Sequence, residues 1–222
     1  MKVFVGYDPR QPVAFQVLCH SIWKRASRPV SITRLQLSQL PLKRVGLTEF
    51  TYSRYLVPHL CGYGGSGLFL DADMLVLGDV CELDDFARSL TYDLTINQKP
   101  LSVCVVKGEQ RFEWPSLMWF NNSMCTKLTP EYIETQKPQT FEWATGGVGE
   151  LPREWNHCVG YDKPRKDAKL VHFTQGIPCW PETQGCEYAD EWLREAEETV
   201  HTVSFDELMG KSVHAQRMGL GA

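Results

Sequence analysis

Residues 66–78, SGLFLDADMLVLG, place two carboxylates inside an otherwise apolar run. Burying a carboxylate costs free energy unless a metal ion or a paired charge compensates for it. Residues i and i+2 of an extended segment project to the same face, so Asp71 and Asp73 can share one divalent cation at the end of a strand. The run therefore predicts a buried strand that ends in a metal-binding pair.

Two other interpretations of the aspartate pair stay open. The pair can lie in a solvated turn, although the apolar residues on both sides disfavour this. It can also belong to a phosphatase-type site, in which the first aspartate is a nucleophile. That arrangement is usually written D-x-D-G-T near the N-terminus, whereas Met74 and Leu75 follow here. We favour metal binding over these two interpretations.

The apolar patterns before this run alternate between strand and helix. β-Branched and aromatic residues in short runs indicate strands, and apolar residues at helical spacing indicate helices. The order strand-helix-strand-helix-strand is typical of a three-layer α/β domain with a largely parallel sheet, in which ligands bind at the carboxyl ends of the strands. The predicted strands are 2–6, 30–37 and 68–70, and the predicted helices are 12–26 and 51–61, the second kinked or stopped at Pro58.

The second half of the chain gives more mixed signals. We find no repeat, linker or low-complexity tract, so we predict one domain over residues 1–222. The predicted strands here are 102–106, 115–120 and 169–173, and the predicted helices are 130–136 and 187–201, the last with an acidic face.

The composition is that of an ordinary globular protein, with 43% hydrophobic and 23% charged residues. A net charge of −4 argues against nucleic acid as the partner. The eight cysteines occur singly, without a C-x-x-C pair, which favours reduced, buried thiols over disulfides or a zinc site. We see no signal peptide and no run of the ~18 apolar residues that a membrane span needs, so we expect a cytoplasmic protein without a transmembrane segment.

The glycine-rich residues 62–67, GYGGSG, match the dinucleotide-binding fingerprint G-x-G-x-x-G. That fingerprint must follow a strand and open a helix, so that a pyrophosphate meets the helix N-terminus. Here the glycines precede a predicted strand. We therefore interpret them as a turn.

His172 follows a predicted buried strand, and we expect it at the same edge of the sheet as Asp71. A single histidine is more often a structural hydrogen-bonding group than a ligand, but this position at the sheet edge makes the two interpretations about equal. Two carboxylates with one imidazole would favour Mn²⁺, with Mg²⁺ as the alternative.

Six segments, in order over residues 3–180, carry a more specific pattern. They are VFVGYDPRQPVAFQVLCHSIWK, TYSRYLVPHL, GLFLDADMLVLGDVCEL, WFNNSM, LPREWN and HFTQGIPCW. Together they resemble glycosyltransferase family 8, the retaining GT-A transferases that include glycogenin and bacterial lipopolysaccharide sugar transferases. The resemblance implies a single-domain GT-A fold, with a Rossmann-like, mostly parallel central sheet flanked by helices and the D-x-D motif at a strand end.

The resemblance also implies roles for individual residues. In that family the D-x-D pair and the late histidine hold the metal, which gives Asp71, Asp73 and His172 as ligands of Mn²⁺ or Mg²⁺. Two catalytic residues are implied: Arg54, which corresponds to the helix arginine that reaches the donor's diphosphate and sugar, and Glu142, the nearest candidate for a group beside the sugar C1. The implied donor-binding residues are Gly6, Tyr7 and Asp8 at the base, Arg54 at the diphosphate, Ala72 at the ribose, Asn121 near the sugar, and Gly176 in the H-F-x-G segment.

The sequence departs from the family pattern at the diphosphate. Pro178 stands where the family has a phosphate-clasping lysine, and Gln175 replaces a glycine. The basic residues 163–166, KPRK, either substitute for that lysine or form a solvated loop.

The leading hypothesis is metal-dependent transfer of a sugar from a nucleotide-sugar donor, UDP-linked, with retention, to an unidentified acceptor. The alternative is a degenerate protein of the same fold that binds the sugar nucleotide without turnover. A nucleotidyltransferase is the third hypothesis, and it is disfavoured because GYDPRQP, after the first strand, is a poor phosphate-binding loop.

Overall fold

The computed structural model describes residues 1–96, 99–108 and 111–200. Within these ranges, nine strands form two sheets. Most of the predicted strands are found to within a few residues, whereas β4, β7 and β8 are too short to show an alternating pattern. The strands are β1 (Lys2–Gly6), β2 (Ser31–Leu35), β3 (Ser66–Leu70), β4 (Met74–Val76), β5 (Val103–Val105), β6 (Leu117–Asn121), β7 (Val148–Glu150), β8 (His157–Cys158) and β9 (Leu170–His172).

The larger sheet has six strands in the order β2-β1-β3-β6-β5-β7. β1 pairs in parallel with both β2 and β3, so the carboxyl ends of these three strands meet at one edge. β7 is parallel to β5, whereas β6 runs antiparallel to both of its neighbours. The predicted α/β fold with a mostly parallel sheet is therefore confirmed. The reversed direction of β6 decides where one of the predicted site residues falls.

The smaller sheet has three strands in the order β4-β9-β8. β4 begins directly after Asp73 and pairs antiparallel with β9, and Met74 is the partner of His172 in this ladder. β8 pairs in parallel with the other side of β9, which places Cys158 opposite His172. The smaller sheet therefore joins the D-x-D segment to His172.

Six α-helices lie in the described residues, and several short 3₁₀ turns connect them with the strands. The helix predicted over 51–61 is divided into α2, a 3₁₀ turn over Arg54–Leu56, and α3. Pro58 lies in the first turn of α3, where its nitrogen needs no hydrogen-bond partner, so it begins a helix instead of stopping one. The helices are α1 (Pro12–Arg25), α2 (Phe50–Ser53), α3 (Val57–Leu60), α4 (Val80–Tyr92), α5 (Pro130–Thr135) and α6 (Ala189–Val200).

The larger sheet is buried on both faces. Val3 and Val5 of β1 pack into one hydrophobic cluster with α1 and α4, and Phe4 packs into a second cluster with Phe50 and Leu56. The three β1 side chains are at most 4% exposed, so each contributes ~1.5–3 kcal/mol of burial free energy. A one-residue shift of β1 would exchange the side chains on its two faces. Their burial therefore fixes the register in which β1 ends level with β3.

The glycine-rich residues before β3 form a turn, as the sequence predicts. Gly62, Tyr63 and Gly65 have φ of 60°, 57° and 64°, the left-handed region that glycine adopts without steric cost. The chain then enters β3 directly. The dinucleotide fingerprint is therefore excluded at this position.

Two further predictions concern the cysteines and membrane-spanning helices. All eight cysteines are free thiols, and most are buried or partly buried, whereas Cys179 is exposed. None of the described helices combines the length and apolar character needed to cross a membrane. Residues 201–222, which include the end of the helix predicted over 187–201, lie outside the described residues.

Candidate metal and donor site

Asp71 is the first residue after β3, and it forms an ion pair with Arg54. The guanidinium Nη2 lies 3.0 Å from Asp71 Oδ1, and Nη1 lies 3.4 Å from Oδ2. Arg54 also donates from Nη1 to the Pro115 carbonyl and from Nε to the Phe50 carbonyl. Both side chains are buried, so the backbone carbonyls hold the guanidinium in place against the carboxylate.

Burial dominates the electrostatics of Asp71. Removal from water raises the pKa of Asp71 to about 6, although the neighbouring Arg54 lowers it, and the nearby Asp73 adds to the rise. The arginine therefore compensates for only part of the cost of the buried charge. A second positive group would complete that compensation.

Asp73 faces His172 across the smaller sheet. The imidazole Nε2 lies 3.3 Å from Asp73 Oδ1, and the backbone N–H of Phe173 donates to the Asp73 carbonyl at 2.9 Å. Burial opposes the charged imidazole, but the carboxylate of Asp73 prevails and raises the pKa of His172 well above its usual value. Two backbone segments that are far apart in sequence thus bring the second carboxylate and the imidazole together.

These three side chains fit a divalent cation. Their ligand atoms all lie within 4.8 Å of one another. Asp71 Oδ1 and Asp73 Oδ1 are two of eight buried side-chain polar atoms in the described residues that find no well-directed hydrogen-bond partner, despite the ion-pair distances given above. Buried polar atoms are almost always satisfied, so the two oxygens point to a missing partner. Two carboxylates and one imidazole are a donor set that suits Mn²⁺.

A cavity of about 710 Å³ opens at this cluster. Arg54, Asp71, Asp73 and His172 are the only charged or chargeable members of its described lining, apart from tyrosine hydroxyls. The remaining wall is apolar, aromatic and hydroxyl-bearing. It is formed by Leu47, Thr48, Phe50, Thr51, Tyr52, Tyr55, Pro115, Ser116, Gln139, Thr140 and Thr174.

The residues predicted at the base and ribose lie at the same sheet edge. Val5 pairs with Leu70, so Gly6 ends β1 level with Asp71. A Cβ on Gly6 would lie 2.5 Å from the Phe50 ring, so only glycine fits here. Asp8 is held by Arg10, whose Nε lies 2.9 Å from Oδ1, and this pairing lowers the pKa of Asp8. Gly6, Tyr7 and Asp8 do not line the described cavity, so their role at the base stays a prediction.

Tyr7 and Ala72 have their own partners at this edge. The Tyr7 ring meets Phe15 edge to face at 5.5 Å between centroids, and the guanidinium of Arg34 lies 4.7 Å from the ring. Ala72 is 5% exposed and packs into the hydrophobic cluster of β1 and α1. Both side chains therefore have packing partners within the fold, and neither lines the described cavity.

Asn121 requires a correction. β6 runs antiparallel to β3, so Asn121 pairs with Ser66, at the end of the sheet opposite Asp71. Its side-chain amide donates to the Leu101 carbonyl and is 2% exposed. Pro115 and Ser116 reach the cavity from this part of the chain, and the Ser116 carbonyl accepts from the Asp71 N–H. The sequence motif identified the asparagine, but it does not indicate the direction of the strand.

Glu142 also requires a correction. Its side chain is exposed, it does not line the cavity, and its charge acts on Tyr132 of α5. A 3₁₀ turn over Pro138–Thr140 instead carries Gln139 and Thr140 into the lining. No motif marks these two residues, because a one-turn helix has no periodic pattern.

Neither Gly176 nor the basic residues 163–166 line the described cavity. Gly176 has a φ of 119°, and its open side faces Trp180 and Thr183, so its role is a turn after β9. In the basic residues 163–166, Arg165 pairs with the exposed Asp167 at 2.8 Å, and the two lysines are exposed. The interpretation of that stretch as a solvated loop is the one that the structure favours.

The fold and the position of this cluster define the class of the chain, which has the GT-A fold of glycosyltransferases. WbbM, a bifunctional glycosyltransferase, shares 16% identity with a TM-score of 0.63 over 90% of this chain and 50% of its own length. Galactosyltransferase LgtC, solved with donor and acceptor sugar analogs, shares 14% identity with a TM-score of 0.58 over 95% of this chain and all of its own. GlyE from Streptococcus pneumoniae TIGR4 shares 14% identity with a TM-score of 0.61 over 99% of this chain and 64% of its own. Such distant likeness establishes the fold alone.

By sequence, the chain is 35% identical to Protein CDI of Arabidopsis thaliana, in an alignment that covers 89% of this chain and 86% of that protein. The chain therefore belongs to the family of Protein CDI. No protein-family model matches it.

Proposed function

We propose that this protein is a metal-dependent glycosyltransferase that uses a nucleotide-sugar donor. The observation that carries the proposal is the group of Asp71, Asp73 and His172, beside Arg54, at the wall of a 710 Å³ cavity. The cluster lies at the carboxyl ends of parallel strands, where open α/β sheets bind their ligands. WbbM, LgtC and GlyE, which share the fold, are glycosyltransferases by name.

Transfer of a sugar from a nucleotide-sugar donor needs positive charge at the departing diphosphate. A divalent cation held by Asp71, Asp73 and His172 would supply Lewis-acid stabilisation of that group. Arg54 adds a guanidinium fixed by two backbone carbonyls, so its charge is already oriented before the donor arrives. Since the leaving group is itself stabilised, the paired acid and base of a glycosidase are not required.

The donor has a defined path along the sheet edge in this proposal. Gly6, Tyr7 and Asp8 receive the base, and Ala72 lies at the ribose. Gln139 replaces both Glu142 and Asn121 as the polar group that approaches the sugar, because its side chain lines the cavity. The resemblance to glycosyltransferase family 8 supports a UDP-linked donor and retention of the anomeric configuration. The apolar and hydroxyl-bearing wall that remains would receive the acceptor.

The first test is a thermal-shift panel of UDP, GDP, CDP and dTDP, each with and without Mn²⁺. A ligand at 100 times its dissociation constant adds ~2.7 kcal/mol, which is ~5–10 °C for a domain of this size. We expect a manganese-dependent shift with UDP that is lost in Asp73→Ala. The matched control is Asp167→Ala, an exposed aspartate paired only at the surface, which keeps the shift. A panel without any shift in the wild type would contradict the proposal.

One observation favours a non-catalytic alternative. Pro178 stands where the resembled family has a lysine, and Arg54 is the only arginine or lysine in the described cavity lining. A protein with this site could bind a sugar nucleotide without turning it over. Donor hydrolysis, measured as UDP release without acceptor, separates the two functions: release above the Asp73→Ala background indicates an enzyme, and tight binding without release indicates a binding protein.

A further inference from the structure

Cys158 is a buried thiol directly beside His172. β8 and β9 are parallel neighbours, and Cys158 and His172 are partners in their ladder. The cysteine is 0% exposed. Its backbone N–H donates to Asp162 Oδ2 at 2.9 Å, and the N–H of the next residue, Val159, donates to the His172 carbonyl at 3.0 Å. The strand that carries the thiol is therefore fixed relative to the imidazole.

The two nitrogens of His172 face different partners. Nε2 faces Asp73, at 3.3 Å, on the side where the cation ligands converge. Nδ1 faces the thiol, with 3.8 Å between Nδ1 and Cys158 Sγ. A histidine that binds a cation through Nε2 must carry its proton on Nδ1, and an outer partner that accepts this proton fixes the ring. In this chain, Cys158 Sγ occupies the position of that partner.

The thiol has a second contact that sets its direction. Cys158 Sγ lies 3.6 Å from the Asn156 carbonyl and 3.9 Å from Asn156 Oδ1, two acceptors to which its S–H can donate. The sulfur lone pairs are then left for Nδ1–H of His172. Asn156 continues the chain of hydrogen bonds, since its side-chain amide donates to Ser116 Oγ at 3.0 Å. Ser116 lines the cavity, so a buried polar path joins the imidazole to the cavity wall.

We propose that Cys158 is a positioning residue for the cation site, whose sulfur accepts the Nδ1–H of His172 and so directs Nε2 at the metal. The proposal rests on the proposed function, because it requires a cation at Asp71, Asp73 and His172. A cysteine that merely fills space would need only its volume. The proposal instead requires an acceptor atom at this position.

The test measures Mn²⁺ affinity from the free-ion EPR signal of the full chain, for the wild type, Cys158→Ala and Cys158→Ser. Loss of an outer partner weakens metal binding by ~10–100-fold, and sulfur is a weak acceptor, so we expect ~10-fold for Cys158→Ala. Serine restores an acceptor, and we expect its affinity to lie within about threefold of the wild type. Cys104→Ala is the matched control, because this thiol is also 0% exposed and lies on β5, away from the cluster. Its thermal stability is measured alongside.

The outcomes separate the proposal from the function on which it rests. A wild type that does not bind Mn²⁺ overturns both. Binding that Cys158→Ala leaves unchanged overturns the positioning role alone. An equal loss in the alanine and serine variants, or a similar loss in Cys104→Ala, would show that packing volume sets the affinity and would also overturn it. A loss confined to Cys158→Ala, with recovery in serine, supports it.

Discussion

Among the described residues, two clusters each contain one histidine and two carboxylates, and they differ in their surroundings. Asp71, Asp73 and His172 form one, and His20, Glu195 and Glu198 form the other, between α1 and α6. Each set brings its ligand atoms within 4.8 Å. Composition and spacing alone therefore do not distinguish a ligand site from a structural contact.

The difference lies in what else surrounds the carboxylates. Glu195 lies 2.7 Å from Arg25 Nη2 and 2.5 Å from His20 Nδ1, and Glu198 pairs with Lys24. Burial would raise the pKa of Glu195, but the hydrogen bonds from Arg25 and His20 lower it overall. This second cluster is already neutralised, so it holds two helices together. The first cluster has one arginine, two unsatisfied oxygens and an adjoining cavity.

The largest expected contrast is in metal affinity. His172→Ala should weaken Mn²⁺ binding by more than ~100-fold, because losing even an outer partner of a ligand costs ~10–100-fold. His20→Ala should change the Mn²⁺ affinity less than about twofold, since lysine and arginine side chains already pair with the carboxylates of that cluster. Isothermal titration calorimetry with Mn²⁺ measures both. Equal losses in the two variants would remove the distinction.

The second contrast is in the stability of the metal-free protein, where Glu195→Gln should be destabilising. Removing the charge leaves the guanidinium of Arg25 without its carboxylate and takes one of two carboxylates from Lys24, and the partial exposure of these side chains limits the loss to ~2 kcal/mol at pH 7. A depressed pKa stabilises the fold above the unfolded value of ~4.3, and this contribution is lost as the pH falls through the folded value. Urea unfolding should show that the difference in unfolding free energy between the wild type and Glu195→Gln is smaller at pH 3.5 than at pH 7. A gap that persists at pH 3.5 would mean that packing explains it.

The smallest expected contrast is in the free energy of unfolding of Asp71→Asn, which should rise instead of fall. With the pKa of Asp71 raised to about 6, its contribution to stability is complete below the unfolded value of ~3.9 and is lost as the pH rises through 6. In chelator, Asp71→Asn should therefore raise the free energy of unfolding by ~1–2 kcal/mol at pH 7 while abolishing the Mn²⁺ response. Urea unfolding with and without Mn²⁺ measures this. A less stable variant would show that pairing with Arg54 outweighs burial.

Local pattern was enough to predict the elements that position most of the site. The alternating burial of β1, the apolar spacing of α1 and the position of the aspartates after β3 are all properties of short windows. Arg54, Asp71, Asp73 and His172 do converge on the cavity, because each follows from a strand end or a helix that the sequence identifies. The prediction that Mn²⁺ or Mg²⁺ binds there remains a prediction.

The residues that sequence reasoning misplaced depend on long-range geometry. The position of Asn121 is decided by the direction of β6, which the strand's own residues do not encode. Gln139 enters the cavity through a single 3₁₀ turn, and Glu142, three positions later, points to solvent. Neither a period nor a motif distinguishes these two positions. The ladder between β4 and β9 is also too short to predict, although it brings His172 to Asp73.

That ladder has a consequence for the order of events during synthesis. Both aspartates leave the ribosome long before His172, which follows almost a hundred positions later, a delay of ~5–20 s at ~5–20 residues per second. In that interval the nascent chain carries the two carboxylates of the proposed cation site without the imidazole. Closing so long a loop is slow and is compensated only once β9 pairs with β4. A cation that binds at this cluster, as we propose, would therefore be captured tightly only after the fold is complete, and it would not guide the first steps of folding.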